Sequence, residues 1–318
     1  MNKASLNSFR KRFKGEIALL LITVIWGATF PIIKESLNDS TPFAFVAVRF
    51  SIASIILLPF FLKKVKQLDK KTFKAGMVLG VLMFGGFITQ TIGLNHTTAT
   101  KSGFITGSAV IMIPFLQFYM EKKIPTKGAV FGTILVFSGL LFLSSGGSNI
   151  MNFVSDLGGS FNFGDFMTLV CAFIFAHYVV YIDIYSNKYD FLFLFALQIF
   201  ATAFLAIIST TFLEVTNFAE VKFDLTESLL FGLLYTGILA TVGDIGVMTK
   251  FQKFVTPTKA GIIYSFEPIF AAVFAFFLLN EKISNFGFIG MGLIFLGLIS
   301  SEIYDTLFSK DEKEISTN

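Results

Sequence analysis

Apolar residues in this chain come in long unbroken runs, not in the alternation of a half-buried strand or the one-sided stripe of a surface helix. Such runs lie at 16–36, 42–62, 73–93, 102–120, 128–146, 164–184, 191–213, 227–248, 258–280 and 284–303. Each is long enough to cross about 30 Å of hydrocarbon at about 1.5 Å of rise per residue. Backbone amides facing lipid must be paired within their own helix or around a closed barrel. Stretches such as IALLLITVI and IILLPFFL lack the in-out alternation of barrel strands, so the pattern predicts ten transmembrane helices.

Composition strengthens this reading. Hydrophobic residues make up 54% of the 318, charged residues only 14%, and mean hydropathy is +0.75. That leaves too little polar surface to cover a water-soluble globule. The single cysteine, Cys171, falls inside a predicted span and excludes a disulfide framework. The basic segment 1–15 precedes a run too long for a signal-peptide core, and no small-residue cleavage site follows it, so the run is expected to be retained as the first span.

Charge then orients the chain. Assigning the loops alternately to two sides puts 20 Lys and Arg residues on one side and only Lys34, Lys101, Lys222 and Lys282 on the other, with Arg49 inside a span. The positive-inside rule predicts a multi-pass cell-membrane protein with both termini cytoplasmic. The net charge of +4 therefore reflects topology and gives no support to nucleic-acid binding.

The phrase TKSGFI at 100–105 returns as TKAGII at 258–263. At the same offset of 158, Lys101 matches Lys259, Gly103 matches Gly261, Gly132 matches Gly290 and Gly139 matches Gly297. The spans thus divide into two halves of five, 16–146 and 164–304, with a linker at 147–163 and a charged tail at 305–318. Five is odd, so the second half enters the membrane from the opposite side. The expected fold is all-α, ten transmembrane helices in two inverted five-helix repeats, an arrangement suited to alternating access around a midplane site.

These residues resemble a known family. IWGATFPI, the VRF around Arg49, QTIGLNHTTATKSGFI and EKKIPTKGAVFGTILVFSGLLFL are similar to the first repeat of EamA-type transporters of the drug/metabolite transporter superfamily. FGDFMTLVCAFIFA, TPTKAGIIYSFEPIFAAVFAFFLLNEK and the glycine-rich tenth span are similar to the second. The resemblance implies a central cavity lined by spans 1, 3, 4, 6, 8 and 9. It further implies a small-molecule solute such as an amino acid, nucleoside or vitamin, often moved outward. Substrate does not follow from the fold.

Polar groups inside spans are costly, so each is a candidate with a structural competitor. Glu267, in the SFEP motif beside the helix-disturbing Pro268, is either a solute or proton site or a hydrogen-bonding strut. Tyr264 shares its face. His177, followed by Tyr178 and Tyr181, could carry protons or stack a planar solute, or could simply bond a neighbouring backbone group. Trp26 and Phe30 in span 1, and Gln90 and Thr91 in span 3, are expected to line the cavity. Asp244 is a coupling or gating candidate whose dull alternative is contact with interfacial water. Arg49, on a span that the resemblance makes peripheral, is expected to hold a structural partner.

Two other classes compete. Ser108 and His177 invite an intramembrane protease dyad, but no nucleophile motif surrounds Ser108. Two histidines and one cysteine form no metal-ligand cluster, and no cofactor is expected. A receptor or scaffold would need no inverted duplication. The expected partners are a small-molecule solute and the lipid bilayer; proton coupling and a homodimer through the glycine faces stay open.

Overall fold

A computed structural model describes residues 3–144 and 161–308. The linker expected at 147–163 and the tail at 305–318 therefore lie largely outside the described residues. Among the described residues, eight helices are long and apolar enough to cross a membrane, and two shorter apolar helices complete ten spans. Spans 1 to 5 are Lys3–Ser36, Pro42–Lys64, Lys70–His96, Ala99–Glu121 and Lys127–Ser144. Spans 6 to 10 are Phe163–Ser186, Phe191–Thr216, Glu227–Phe254, Pro257–Leu279 and Asn285–Phe308. Local chemistry sets their starts: Asp69 accepts from the amides of Lys71 and Thr72, and Asn162 and Asp165 form a reciprocal capping box. The exposed Asp69 carboxyl also accepts from the Thr72 hydroxyl, and these bonds hold its pKa below the ordinary 3.8.

The halves meet as the repeat requires. Span 5 packs along span 10, and span 2 packs along span 7. The glycines repeated at 158 residues are the contact between spans 5 and 10. A Cβ on Gly132 would stand 2.8 Å from the Gly297 carbonyl oxygen, and one on Gly297 would stand 2.9 Å from that of Gly132. Gly139 and Gly290 face each other in the same way, at 2.7 and 2.4 Å. Each glycine therefore touches the repeat mate of the other, which is the reciprocal signature of a two-fold axis. The early part of span 5 meets the late part of span 10, so the two helices run antiparallel, as inverted repeats demand. Gly103 beside Ala271 and Gly261 beside Ile113 repeat the reciprocity between spans 4 and 9.

Three spans are interrupted. Span 4 breaks at Ser108, between helices Ala99–Gly107 and Ala109–Glu121. Span 9 breaks at Ser265 and Phe266, between Pro257–Tyr264 and Glu267–Leu279. Ser108 and Phe266 are one repeat apart. Pro268 cannot donate to the Tyr264 carbonyl, which accounts for the second break. Val110 occupies the matching position in span 4, so the first break is kept without a proline, and the Ser108 hydroxyl takes up the Ile105 carbonyl at 2.6 Å. Span 8 carries a π-helical stretch, Tyr235–Gly243. There the Thr241 hydroxyl donates to the Thr236 carbonyl five residues back, at 2.8 Å.

Candidate functional site

The central cavity lies between the halves and is walled by spans 1, 2, 3, 4, 6, 8 and 9. Among the sequence candidates, Trp26, Gln90, Tyr178, Tyr264 and Glu267 line it. The break in span 9 places Glu267 at the first turn of a new helix, where free backbone N–H groups favour an anion. Glu267 has no hydrogen-bond partner among the described residues, so its carboxyl oxygens are free to meet whatever enters. Trp26 and Tyr264 approach with ring centroids 5.6 Å apart and tilted by 54°, an aromatic corner from spans 1 and 9. The Trp26 indole N–H reaches the Ala240 carbonyl at 3.3 Å, and the Tyr264 hydroxyl donates to Gln252 at 2.5 Å. Gln90 reaches the Thr106 hydroxyl at 3.4 Å, and Tyr178 donates to Gln198 at 2.8 Å.

Other candidates sit elsewhere. Phe30 is 1% exposed and packs in a separate cluster with Phe45, Leu94 and Leu229. Thr91 returns its hydroxyl to the Phe87 carbonyl at 2.7 Å. His177 lies outside the cavity, its Nδ1 2.9 Å from the Phe173 carbonyl oxygen, the backbone partner of the duller reading. Tyr181 packs on Tyr185 at 5.5 Å. The hydrogen bonds of Ser108 and His177 go to separate backbone carbonyls, so they make no dyad. Asp244 is only 2% exposed, which corrects the expectation of interfacial water. It is buried within electrostatic reach of both Arg49 and Glu267, and its Oδ2 has no hydrogen-bond partner among the described residues.

The sequence reading undervalued Arg49. The guanidinium is 1% exposed yet borders the cavity, with Nε donating to the Thr241 hydroxyl at 2.9 Å and the Phe87 ring beneath it at 4.5 Å. The expected structural partner is Thr241, presented by the π stretch of span 8. Phe87 and Phe175, 5.2 Å apart, complete the aromatic wall. The available signal was the presence of arginine inside an apolar run at all.

At the end that the lysine distribution assigns to the outside, polar contacts gather, some joining the two halves and some within the first half. Lys101 Nζ lies 2.6 Å from Asp165 Oδ2, and the Thr97 hydroxyl donates to Asp165 Oδ1 at 2.7 Å. Lys34 Nζ donates to the carbonyls of Leu94 and Thr97 at 2.8 and 2.7 Å. Glu281 of the NEK motif accepts from the amides of Ala99 and Thr100 and from the Thr100 hydroxyl, at 3.0, 3.1 and 2.6 Å. It thereby caps the free N–H groups of span 4. In the second repeat Thr258 is held comparably, with its amide and hydroxyl both donating to Gln117 Oε1 at 3.0 and 2.7 Å. The repeated Thr-Lys phrase is thus an anchoring point at the mouth of each half.

Comparison with known proteins agrees with this architecture. The model of the EamA-like transporter family matches twice, over residues 13–145 and 162–301, and the chain belongs to that family. It is a membrane transporter of the drug/metabolite transporter superfamily. An uncharacterized transporter of Archaeoglobus fulgidus is 34% identical over 289 residues, covering 91% of this chain and 86% of its own. The uncharacterized transporter YoaV of Bacillus subtilis is 24% identical, covering 89% and 94%. A solved crystal structure at 15% identity superposes with a TM-score of 0.68 over 90% of this chain and 95% of that one, a likeness of fold.

Proposed function

We propose that this transporter moves a small organic metabolite across the cell membrane by alternating access, binding it at the corner formed by Trp26, Gln90, Tyr264 and Glu267. The observation that carries this reading is Glu267: a carboxyl group with no partner of its own, at a helix start in a cavity shared by both halves. Beside it lie aromatic faces for the body of a solute. Glu267 and its neighbour Asp244 supply groups able to exchange a proton against the solute. Export is the direction favoured by the family resemblance.

The test has two stages. Purified protein screened against a metabolite library by thermal shift identifies a stabilising solute, since a ligand that binds only the folded state raises the melting temperature. The same solute should then undergo counterflow in proteoliposomes, and alanine at Trp26 or Tyr264 should weaken its apparent affinity by about tenfold or more, the scale of losing a buried aromatic contact. Unchanged affinity in folded variants of both would place the solute elsewhere.

The lysine asymmetry supports cytoplasmic termini. A cysteine at Leu68, between spans 2 and 3, should accept a membrane-impermeant maleimide only in inside-out vesicles, whereas one at Asn217, after span 7, should accept it only in right-side-out ones. The reverse pattern would invert the topology.

A further inference from the structure

Of the three arginines in the chain, Arg10 and Arg12 lie in the basic first segment and only Arg49 falls within an apolar run. Its side chain is almost wholly buried, yet it borders the central cavity from span 2. A guanidinium carries five N–H groups, one on Nε and two on each Nη. The Nε group is satisfied by the Thr241 hydroxyl at 2.9 Å, whereas neither Nη donates to any described residue. Among the described residues no carboxylate forms an ion pair with it either. The Phe87 and Phe50 rings lie 4.5 and 5.4 Å from Cζ, so aromatic carbon packs around the cation but offers the fork no oxygen. Holding span 2 to span 8 through Thr241 uses one donor of the five and needs no charge. A buried cation with open donors is costly unless something completes it.

We propose that Arg49 is the anion subsite of the central cavity and that the transported solute presents a carboxylate to its two Nη groups. This deepens, and rests on, the reading of that cavity as the solute site. The fork of a guanidinium matches the two oxygens of a carboxylate, which it can hold by parallel charge-assisted bonds. One positive charge balances one negative charge. A phosphoryl dianion would bring a second into a cavity whose other walls are largely apolar and which already holds the Glu267 carboxyl, so the carboxylate class is favoured. Trp26 and Tyr264, from spans 1 and 9, take the body of the solute, and Arg49 adds a charged contact from span 2. Specificity follows from the same groups: a solute that lacks the acid leaves the fork unpaired and is rejected.

Three probes with one aromatic body test this, phenylacetate, phenylacetamide and benzylphosphonate, in buffer alkaline enough to ionise the phosphonate twice. Binding to the purified full chain is read from the fluorescence of Trp26, the only tryptophan and a cavity residue. Phenylacetate should bind about tenfold or more tighter than either of the others, the scale of a hydrogen-bonded charge. Arg49→Met should abolish the preference for acid over amide while leaving the amide's affinity as it was. Arg49→Lys, which keeps the charge but loses the fork, should retain only part of the preference. A purely structural Arg49 predicts instead that Arg49→Met lowers the melting temperature and weakens acid and amide alike. Equal binding of acid and amide by the parent, no binding of the acid, tighter binding of the phosphonate, or an acid preference retained in Arg49→Met overturns the proposal. The wider reading fails separately: if Trp26→Ala leaves phenylacetate binding unchanged by thermal shift while Arg49→Met removes the acid preference, the subsite stands and the aromatic corner does not. If Arg49→Met does not fold, the parent's selectivity and Arg49→Lys decide.

Discussion

Gly290→Leu will prevent the tenth span from seating and yield protein that aggregates in detergent, whereas Gly292→Leu, two residues away, will behave as the parent. A Cβ at 290 would fall 2.4 Å from the Gly139 carbonyl oxygen and 2.5 Å from the Leu143 amide nitrogen, both backbone atoms that cannot step aside. At 292 a Cβ meets nothing within 4 Å. Overpacking in well-filled interiors costs about 1–3 kcal/mol when side chains can yield, and rigid backbone on both sides puts Gly290 at or beyond the top of that range. Apolar side chains gain nothing from leaving lipid for a helix interface, so packing quality carries the association of spans 5 and 10. Size-exclusion profiles and melting temperatures of the two variants check this. A monodisperse Gly290→Leu with parental melting would mean the seam is not a stabilising contact.

Glu267→Gln will leave solute exchange in place and remove its dependence on pH. The glutamine keeps the shape of the side chain at the start of the second half of span 9 but can neither take up nor release a proton. If one proton moves against each solute, a gradient of one pH unit supports about tenfold accumulation in the parent, since 1.4 kcal/mol is a factor of ten. The variant should then only equilibrate the solute. A strut role predicts the opposite, with glutamine preserving both the melting temperature and the pH response. Proteoliposome flux with and without a pH gradient separates the two, and a parental pH profile in the variant would remove Glu267 as the proton carrier.

The membrane class, the span count and the duplication were legible because each is written in one dimension: run length, lysine alternation and a constant offset of 158. Which face of a span looks inward was much less legible. Span 6 is apolar through most of its length, so its sequence signals its rotation only weakly. His177 and Tyr178 are neighbours about 100° apart on that helix. Only Tyr178 turns to the cavity, while His177 satisfies itself on Phe173. Thr91 was misjudged for the same reason, being one residue from Gln90 on span 3. Arg49 was underrated because its span was expected at the periphery, whereas the side chain is long enough to border the cavity from there and rest on Phe87. The repeated glycines could be found by counting. That they touch one another in crossed pairs could be learned only from the packing.

That crossed pairing has a consequence for the resting state. In a molecule whose halves were identical, the inward-facing and outward-facing forms would be related by the two-fold axis in the membrane plane and equally populated, so any preference must come from positions where the halves differ. At the inner end Glu121 and Asp183 line one polar cavity, while the residues one repeat away from them are Leu279 and Ile25. Lys123 is answered by Glu281, which caps span 4. Ionisable side chains at the mouths are thus among the positions where the halves differ, and exchanging them between repeat mates tests their share of that preference without touching the solute pocket.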